Sequence, residues 1–206
     1  MKQVRIIAWI LVLGLAVLMG ARYFLAPNSG PATGTSTEDP SRNTPGGPFS
    51  LVNHFGEPVT DADFRGKYMM VYFGYSFCPD VCPMELQKMT SALGKLEAEG
   101  YSTDAIQPIF ISVDPERDTP EALKDYVALF HPNLVGLTGT PEQIAEAARV
   151  YRVYYSKREA EDVEGYLMDH LSVIFLIRPD GSYDRIFTAR DTPDSMAVAL
   201  KPIVKG

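Results

Sequence analysis

Tyr72-Phe-Gly-Tyr-Ser-Phe-Cys-Pro-Asp-Val-Cys-Pro-Met84 contains the only two cysteines of the chain, Cys78 and Cys82, with three residues between them. A run rich in Tyr, Val and Phe (68–75) leads in with strand character, and a helical run leads out. Thiols at i and i+4 where a helix begins lie one turn apart on the same face. Such a pair is a site rather than a piece of core. It either passes electrons as a disulfide or holds a metal.

Downstream, Pro83 suits a first helical turn, and Leu86, Met89, Leu93 and Leu96 recur at helical spacing until Gly100. Residues 106–113 form a near-continuous apolar run, the kind buried on both faces of a sheet. Thr119-Pro-Glu, Thr140-Pro-Glu and Thr192-Pro-Asp each offer a capping hydroxyl, a proline at the first helical position and an early acid. Gln143 adds a capping box to the second. On that second helix Ile144, Ala148, Tyr151 and Tyr155 are expected to share a face. Short strands are expected at 134–137 and 172–177, and Pro179-Asp-Gly181 turns the latter into 183–187. Upstream, 49–52 and 57–60 read as a hairpin, and the charged stretch 157–164 as a loop or protruding hairpin. The alternation predicts an α/β domain with a central mixed sheet and helices on both faces. A dithiol at the carboxyl end of the first long strand makes it thioredoxin-like, and ligands in such sheets sit at that end.

Three segments are expected along the 206 residues. Residues 1–26 are an apolar run behind Lys2 and Arg5, close to the ~20 residues that span a bilayer. A cleaved signal peptide would want small residues before a cut site, and Met19 occupies such a place, so an N-terminal transmembrane anchor is expected instead. The basic start puts the N-terminus in the cytoplasm and the rest outside, in a bacterial inner membrane with the domain in the periplasm. Residues 27–48, rich in Pro, Gly, Ser and Thr, read as a flexible linker, and 49–206 as the folded domain. Beyond residue 26 the chain carries 16 basic and 26 acidic residues, net −10, which argues against nucleic-acid binding.

A disulfide between Cys78 and Cys82 would close too short a loop to stabilise much. As a redox dithiol the pair has three intervening residues where thioredoxins have two, and Met168-Asp-His-Leu171 has no proline before the facing strand. As a metal site, the two thiolates would be joined by His170, just before the last buried strand. That donor set suits Cu(I) and can hold Cu(II), whereas zinc would want a fourth ligand. His54 and His131 lie in turn-like contexts and are expected at the surface. A peroxidase of the peroxiredoxin type is disfavoured, because 69–77 lacks the Pro and Thr of that context.

Phe73–Leu86, Ile111–Pro120, Tyr151–Tyr155, and Asp169-His170 with Pro179-Asp-Gly181 resemble the Sco/SenC family, over about residues 49–204. The resemblance implies a membrane-anchored, thioredoxin-fold copper protein acting in cytochrome c oxidase assembly. It implies Cys78, Cys82 and His170 as copper ligands, with Asp80 and Asp169 in the surrounding shell. The implied task is delivery of Cu(I) or Cu(II) to the dinuclear copper centre, with that centre's subunit and other periplasmic copper carriers or thiol reductants as partners. The alternative within the family is reduction of that centre's cysteines. Where the family usually has Ser or Thr after the histidine, Leu171 stands here.

Overall fold

Strand β3 (Tyr68–Gly74) is the axis of the domain, buried along nearly its whole length. It pairs in parallel with β4 (Ile106–Ser112) on one side and antiparallel with β8 (Ile174–Ile177) on the other. The computed structural model describes residues 44–159 and 165–204. β1 (Ser50–Asn53) and β2 (Pro58–Thr60) form the expected hairpin, β5 (Val135–Thr138) lies between β1 and β4, and β9 (Tyr183–Phe187) closes the far edge. The resulting mixed sheet has seven strands in the order β2-β1-β5-β4-β3-β8-β9.

Successive side chains on a strand point to opposite faces, so β3 feeds two aromatic layers. Tyr72 stacks on Phe110, which meets Tyr126 of helix α2 (Pro120–Val127) with ring centres 5.5 Å apart. Phe73 turns the other way, onto Tyr151 of helix α3 (Pro141–Tyr151) at 5.3 Å and onto Phe175. Helices therefore cover both faces, as the alternation predicted. Helix α1 (Val81–Ala98) follows the cysteine turn, and the last helix, α4 (Pro193–Val204), packs along it. Leu86, Met89, Leu93 and Leu96 of α1 are at most 1% exposed. Each such burial stabilises by roughly 1.5–3 kcal/mol relative to exposure.

The caps behave as written in the sequence. Thr119 and Thr140 accept the amides of Ala122 and Gln143, and Gln143 returns a bond to the Thr140 amide at 2.8 Å. Thr192 repeats the device with Ser195. Gly100, past the end of α1, sits at φ +88°, a conformation its missing Cβ permits.

One expectation changes. Helix α3 stops at Tyr151, because Arg152 turns left-handed (φ 58°) and the Val153 amide folds back to the Ala148 carbonyl at 2.8 Å. Tyr155 is thus not on the helix face but starts a strand. Of the charged stretch, residues 157–159 belong to β6 (Tyr155–Glu159), which pairs antiparallel with β7 (Tyr166–His170) as a separate two-stranded sheet, in keeping with the hairpin alternative. The expected anchor (1–26) and most of the expected linker lie outside the described residues. Among the described residues no helix is long and apolar enough to cross a membrane.

Candidate metal centre

Cys82 lies in the first turn of α1 and is fully buried, whereas Cys78, in the turn between β3 and α1, is half-buried. Both are free thiols. Cys82 can nest against β3 because residue 74 is glycine. A Cβ there would lie 3.1 Å from the Cys82 sulfur, 2.9 Å from Tyr72 and 3.0 Å from Phe110.

Asp80 occupies the N-cap of α1 without a side-chain cap hydrogen bond. The Cys78 sulfur instead accepts the Cys82 amide at 3.4 Å, placing it at the positive end of the helix. The Cys78 pKa is drawn far below the ordinary thiol range. The hydrogen bond from the Cys82 thiol is the largest cause; His170 and the Asp80 and Cys82 amides add to it, and together they outweigh burial. Cys82 is driven the opposite way by the neighbouring Cys78 sulfur and by burial. The pair thus titrates as a unit, one thiolate beside one thiol.

His170 ends β7 with its Nε2 3.3 Å from the Cys82 sulfur. Its Nδ1 lies 3.2 Å from the Leu171 carbonyl, which can only accept. Nδ1 therefore carries a proton, and Nε2 is the ring nitrogen turned toward the cysteine sulfurs. The group that orients His170 is a backbone carbonyl, so this contact does not draw on the side chain at 171. The rings of Tyr72 and Tyr75 stand edge-on to the imidazole at 6.1 and 6.0 Å.

Cys78, Cys82 and His170 are therefore brought together from the cysteine turn, α1 and β7. Among the described residues, no three His, Cys, Asp or Glu side chains already form a metal cage. What stands in place is the Cys82–His170 pair, with Cys78 one helical turn away and bonded to the Cys82 amide. Thiolate and imidazole on a common ion at ~2.3 and ~2.0 Å sit ~3.3–3.7 Å apart, so the observed spacing already suits a shared ion.

The two expected surrounding acids do not touch the histidine ring. Asp169 is exposed and pairs with Arg158 at 3.2 Å, because strand neighbours alternate and His170 takes the inward side. Asp80 is exposed and contributes only its amide, toward Cys78. His54 and His131 depart from their expected surface positions. His54 is 9% exposed, with Nδ1 accepting the Gly136 amide at 3.1 Å. The His131 side chain is equally covered, accepting the Asn133 amide at 3.1 Å and lying 3.5 Å from Glu97. Both turns fold back over the sheet, which a turn-rich local sequence does not reveal.

Asp118 is a contributor that sequence reasoning missed. Its carboxylate is fully buried and accepts the Ser76 amide at 3.0 Å, the Ser76 hydroxyl, and the Ser112 hydroxyl at 2.5 Å. It thereby pins the turn that carries Cys78, and burial pushes its own pKa up. The only signal in the sequence was its place in the Ile111–Pro120 block.

Comparison with known proteins agrees with this architecture. The SCO1/SenC family model matches residues 37–205. The human mitochondrial SCO1 homolog is 45% identical over 155 residues, covering 75% of this chain and 51% of that protein. The chain thus spans about half the length of the curated relatives it matches. The crystal structure of Arabidopsis thaliana ScoI with copper bound is 43% identical, with a TM-score of 0.72, and the match covers 78% of this chain and 98% of that one. BsSco, described with a disulfide switch and as a member of the Sco family of cytochrome c oxidase assembly proteins, is 28% identical at a TM-score of 0.61, covering 77% and 92%. With its thioredoxin-like sheet, its dithiol and its matched length, the chain belongs to the SCO1/SenC family.

Proposed function

We propose that the chain is a copper chaperone that binds Cu(I) and Cu(II) through Cys78, Cys82 and His170 and hands copper to the dinuclear centre of cytochrome c oxidase. The observation that carries this reading is the Cys82–His170 contact at 3.3 Å, with the Cys78 thiolate one turn away. Two soft thiolates satisfy Cu(I), and the imidazole adds the borderline donor that Cu(II) prefers. The ligands come from a half-exposed turn, a buried helix end and the end of a strand, so a receiving thiolate can approach from the Cys78 side. The copper-bound relative from Arabidopsis thaliana supports the cargo, and the assembly role described for BsSco supports the recipient.

The dithiol gates the site. Oxidation of the two copper-binding thiolates of Cys78 and Cys82 to a disulfide passes two electrons to an acceptor and leaves no thiolate, so copper must leave. Titrating the purified full-length chain with Cu(I) and Cu(II), reduced and oxidised, tests the reading. About one copper per chain is expected in the reduced form and none in the oxidised form. Equal binding in both forms would defeat it.

A second reading is favoured by the asymmetry of the pair. A half-buried, low-pKa Cys78 beside a fully buried Cys82 is the arrangement of an attacking and a resolving thiol. The Cys78 thiolate would attack a disulfide of the oxidase subunit, and Cys82 would release the mixed disulfide, leaving the target reduced and the pair oxidised. Reduction of a model disulfide at thioredoxin-like rates without copper retention would favour this reading.

We further propose that residues 1–26 anchor the protein in a bacterial inner membrane, that 27–48 tether it, and that 49–206 work in the periplasm. A mature N-terminus found at Arg22 or beyond would overturn the anchor.

A further inference from the structure

We propose that Arg117 is a positioning residue of this copper site: a brace that fixes the cysteine turn and the histidine hairpin at one separation and so sets the strength of Cu(II) binding. The inference rests on the copper reading above. The two parts of the site belong to different sheets. Cys78 and Cys82 follow β3 of the main sheet, whereas His170 ends the separate β6–β7 hairpin. A two-stranded hairpin is marginal by itself, so its placement depends on the contacts that hold it.

Met168 of β7 is buried in the core and its backbone hydrogen-bonds Tyr75, and Arg117 adds contacts on both sides. Toward the hairpin, its Nη1 donates to the Tyr166 carbonyl at 3.0 Å, and its guanidinium lies 3.8 Å from the centre of the Tyr166 ring. Tyr166 and His170 are four residues apart on β7 and share its inward face. Toward the cysteine turn, the same guanidinium lies 4.8 Å from the Phe77 ring centre and 5.7 Å from that of Tyr75. Phe77 precedes Cys78, and Tyr75 stands edge-on to His170.

The arginine is itself held from the β4–α2 loop. Asp114, whose side chain is fully buried, takes its Nε at 2.5 Å and also accepts the Tyr166 hydroxyl at 2.7 Å. Lys157, which bonds Glu116 at 2.6 Å, adds a second strut from the hairpin to this loop. One planar cation thus packs against an aromatic ring on each side of the site while bonding to loop and hairpin. A lysine carries the charge but neither the fork nor the plane.

Loosening the brace leaves the two thiolates together on α1 and its turn, while the imidazole loses its fixed place. Cu(I), satisfied by the thiolates, is retained. Cu(II), which needs the imidazole, is held less well. Changes in the groups that orient metal ligands cost about 10–100-fold in affinity, and an effect of about tenfold is expected here.

The test compares the full-length wild type with Arg117→Gln, Arg117→Lys and Phe77→Ala. The readouts are the Cu(II) dissociation rate, the sulfur-to-copper absorption band and Cu(I) stoichiometry. Phe77 is 57% exposed, so its variant keeps the fold if the arginine variants do not. Arg117→Gln should release Cu(II) about tenfold faster with a shifted band and unchanged Cu(I) stoichiometry. Lysine should fail to restore the wild-type band, and Phe77→Ala should shift it in the same direction by less. A wild-type chain that takes up no copper would overturn the copper reading itself. A wild type that binds copper beside Arg117 and Phe77 variants with wild-type band and release rate would overturn the brace alone. Rescue by lysine would overturn the role of the planar fork.

Discussion

Removing the Asp118 carboxylate should unfasten the turn that carries Cys78. In Asp118→Ala the Ser76 and Ser112 hydroxyls can rotate toward other acceptors, but the Ser76 amide cannot. An orphaned buried donor costs ~1–3 kcal/mol, and each lost hydrogen bond about 1 kcal/mol more. The burial that raises the Asp118 pKa means that removing the acid also recovers part of its desolvation cost. A net loss of ~2–4 kcal/mol follows. For a domain of this size that lowers Tm by roughly 5–15 °C. Asp118→Asn keeps the volume and one carbonyl oxygen for the Ser76 amide, so about 1 kcal/mol is expected there. Circular dichroism melting of the reduced, copper-free chain measures both. An alanine variant melting within about 2 °C of wild type would refute the pinning, given the shift expected. An asparagine variant that falls as far as alanine would refute the assignment of the cost to the orphaned amide.

Gly74→Ala should press Cβ onto the Cys82 sulfur, Tyr72 and Phe110, costing ~1–3 kcal/mol and shifting the copper absorption band; an unshifted band would mean that Cys82 is not a ligand. His54 is held neutral by burial and by the nearby Lys124 charge, which together outweigh the opposing backbone hydrogen bond with Gly136, so its folded pKa lies below the ordinary value. Its contribution to stability is fully present above the unfolded pKa of about 6.5 and is lost as pH falls through the lowered folded value. Urea unfolding between about pH 7.5 and pH 5 should show that decline, and His54→Gln should remove this component; identical pH profiles would refute it. Oxidation of the copper-loaded chain by a disulfide should release copper in step with thiol loss, and copper retained after both thiols are consumed would exclude Cys78 and Cys82 as its holders.

Most of the fold was legible because its instructions are local. The Thr-Pro-acid caps, the spacing of Leu86, Met89, Leu93 and Leu96, and the apolar run of β4 state their structure within a few residues. Tyr155 was misplaced because apolar periodicity continues past Tyr151, while the left-handed turn that ends the helix falls on Arg152, a residue that gives no glycine signal. The dithiol and its histidine could be paired only through the resemblance and the expected fold, since Cys82 and His170 lie 88 residues apart. The parts that hold them were illegible for the same reason. Asp118 reaches Ser76 across 42 residues and Arg117 reaches Tyr166 across 49, and no local pattern records such partners.

X-ray absorption at the copper edge, on the reduced full-length chain loaded with one equivalent of Cu(II), tests the central claim most directly. The account predicts two sulfur ligands and an imidazole nitrogen in the wild type, with the imidazole lost and binding weakened in His170→Ala. The same imidazole signal and the same affinity in His170→Ala as in wild type would contradict it.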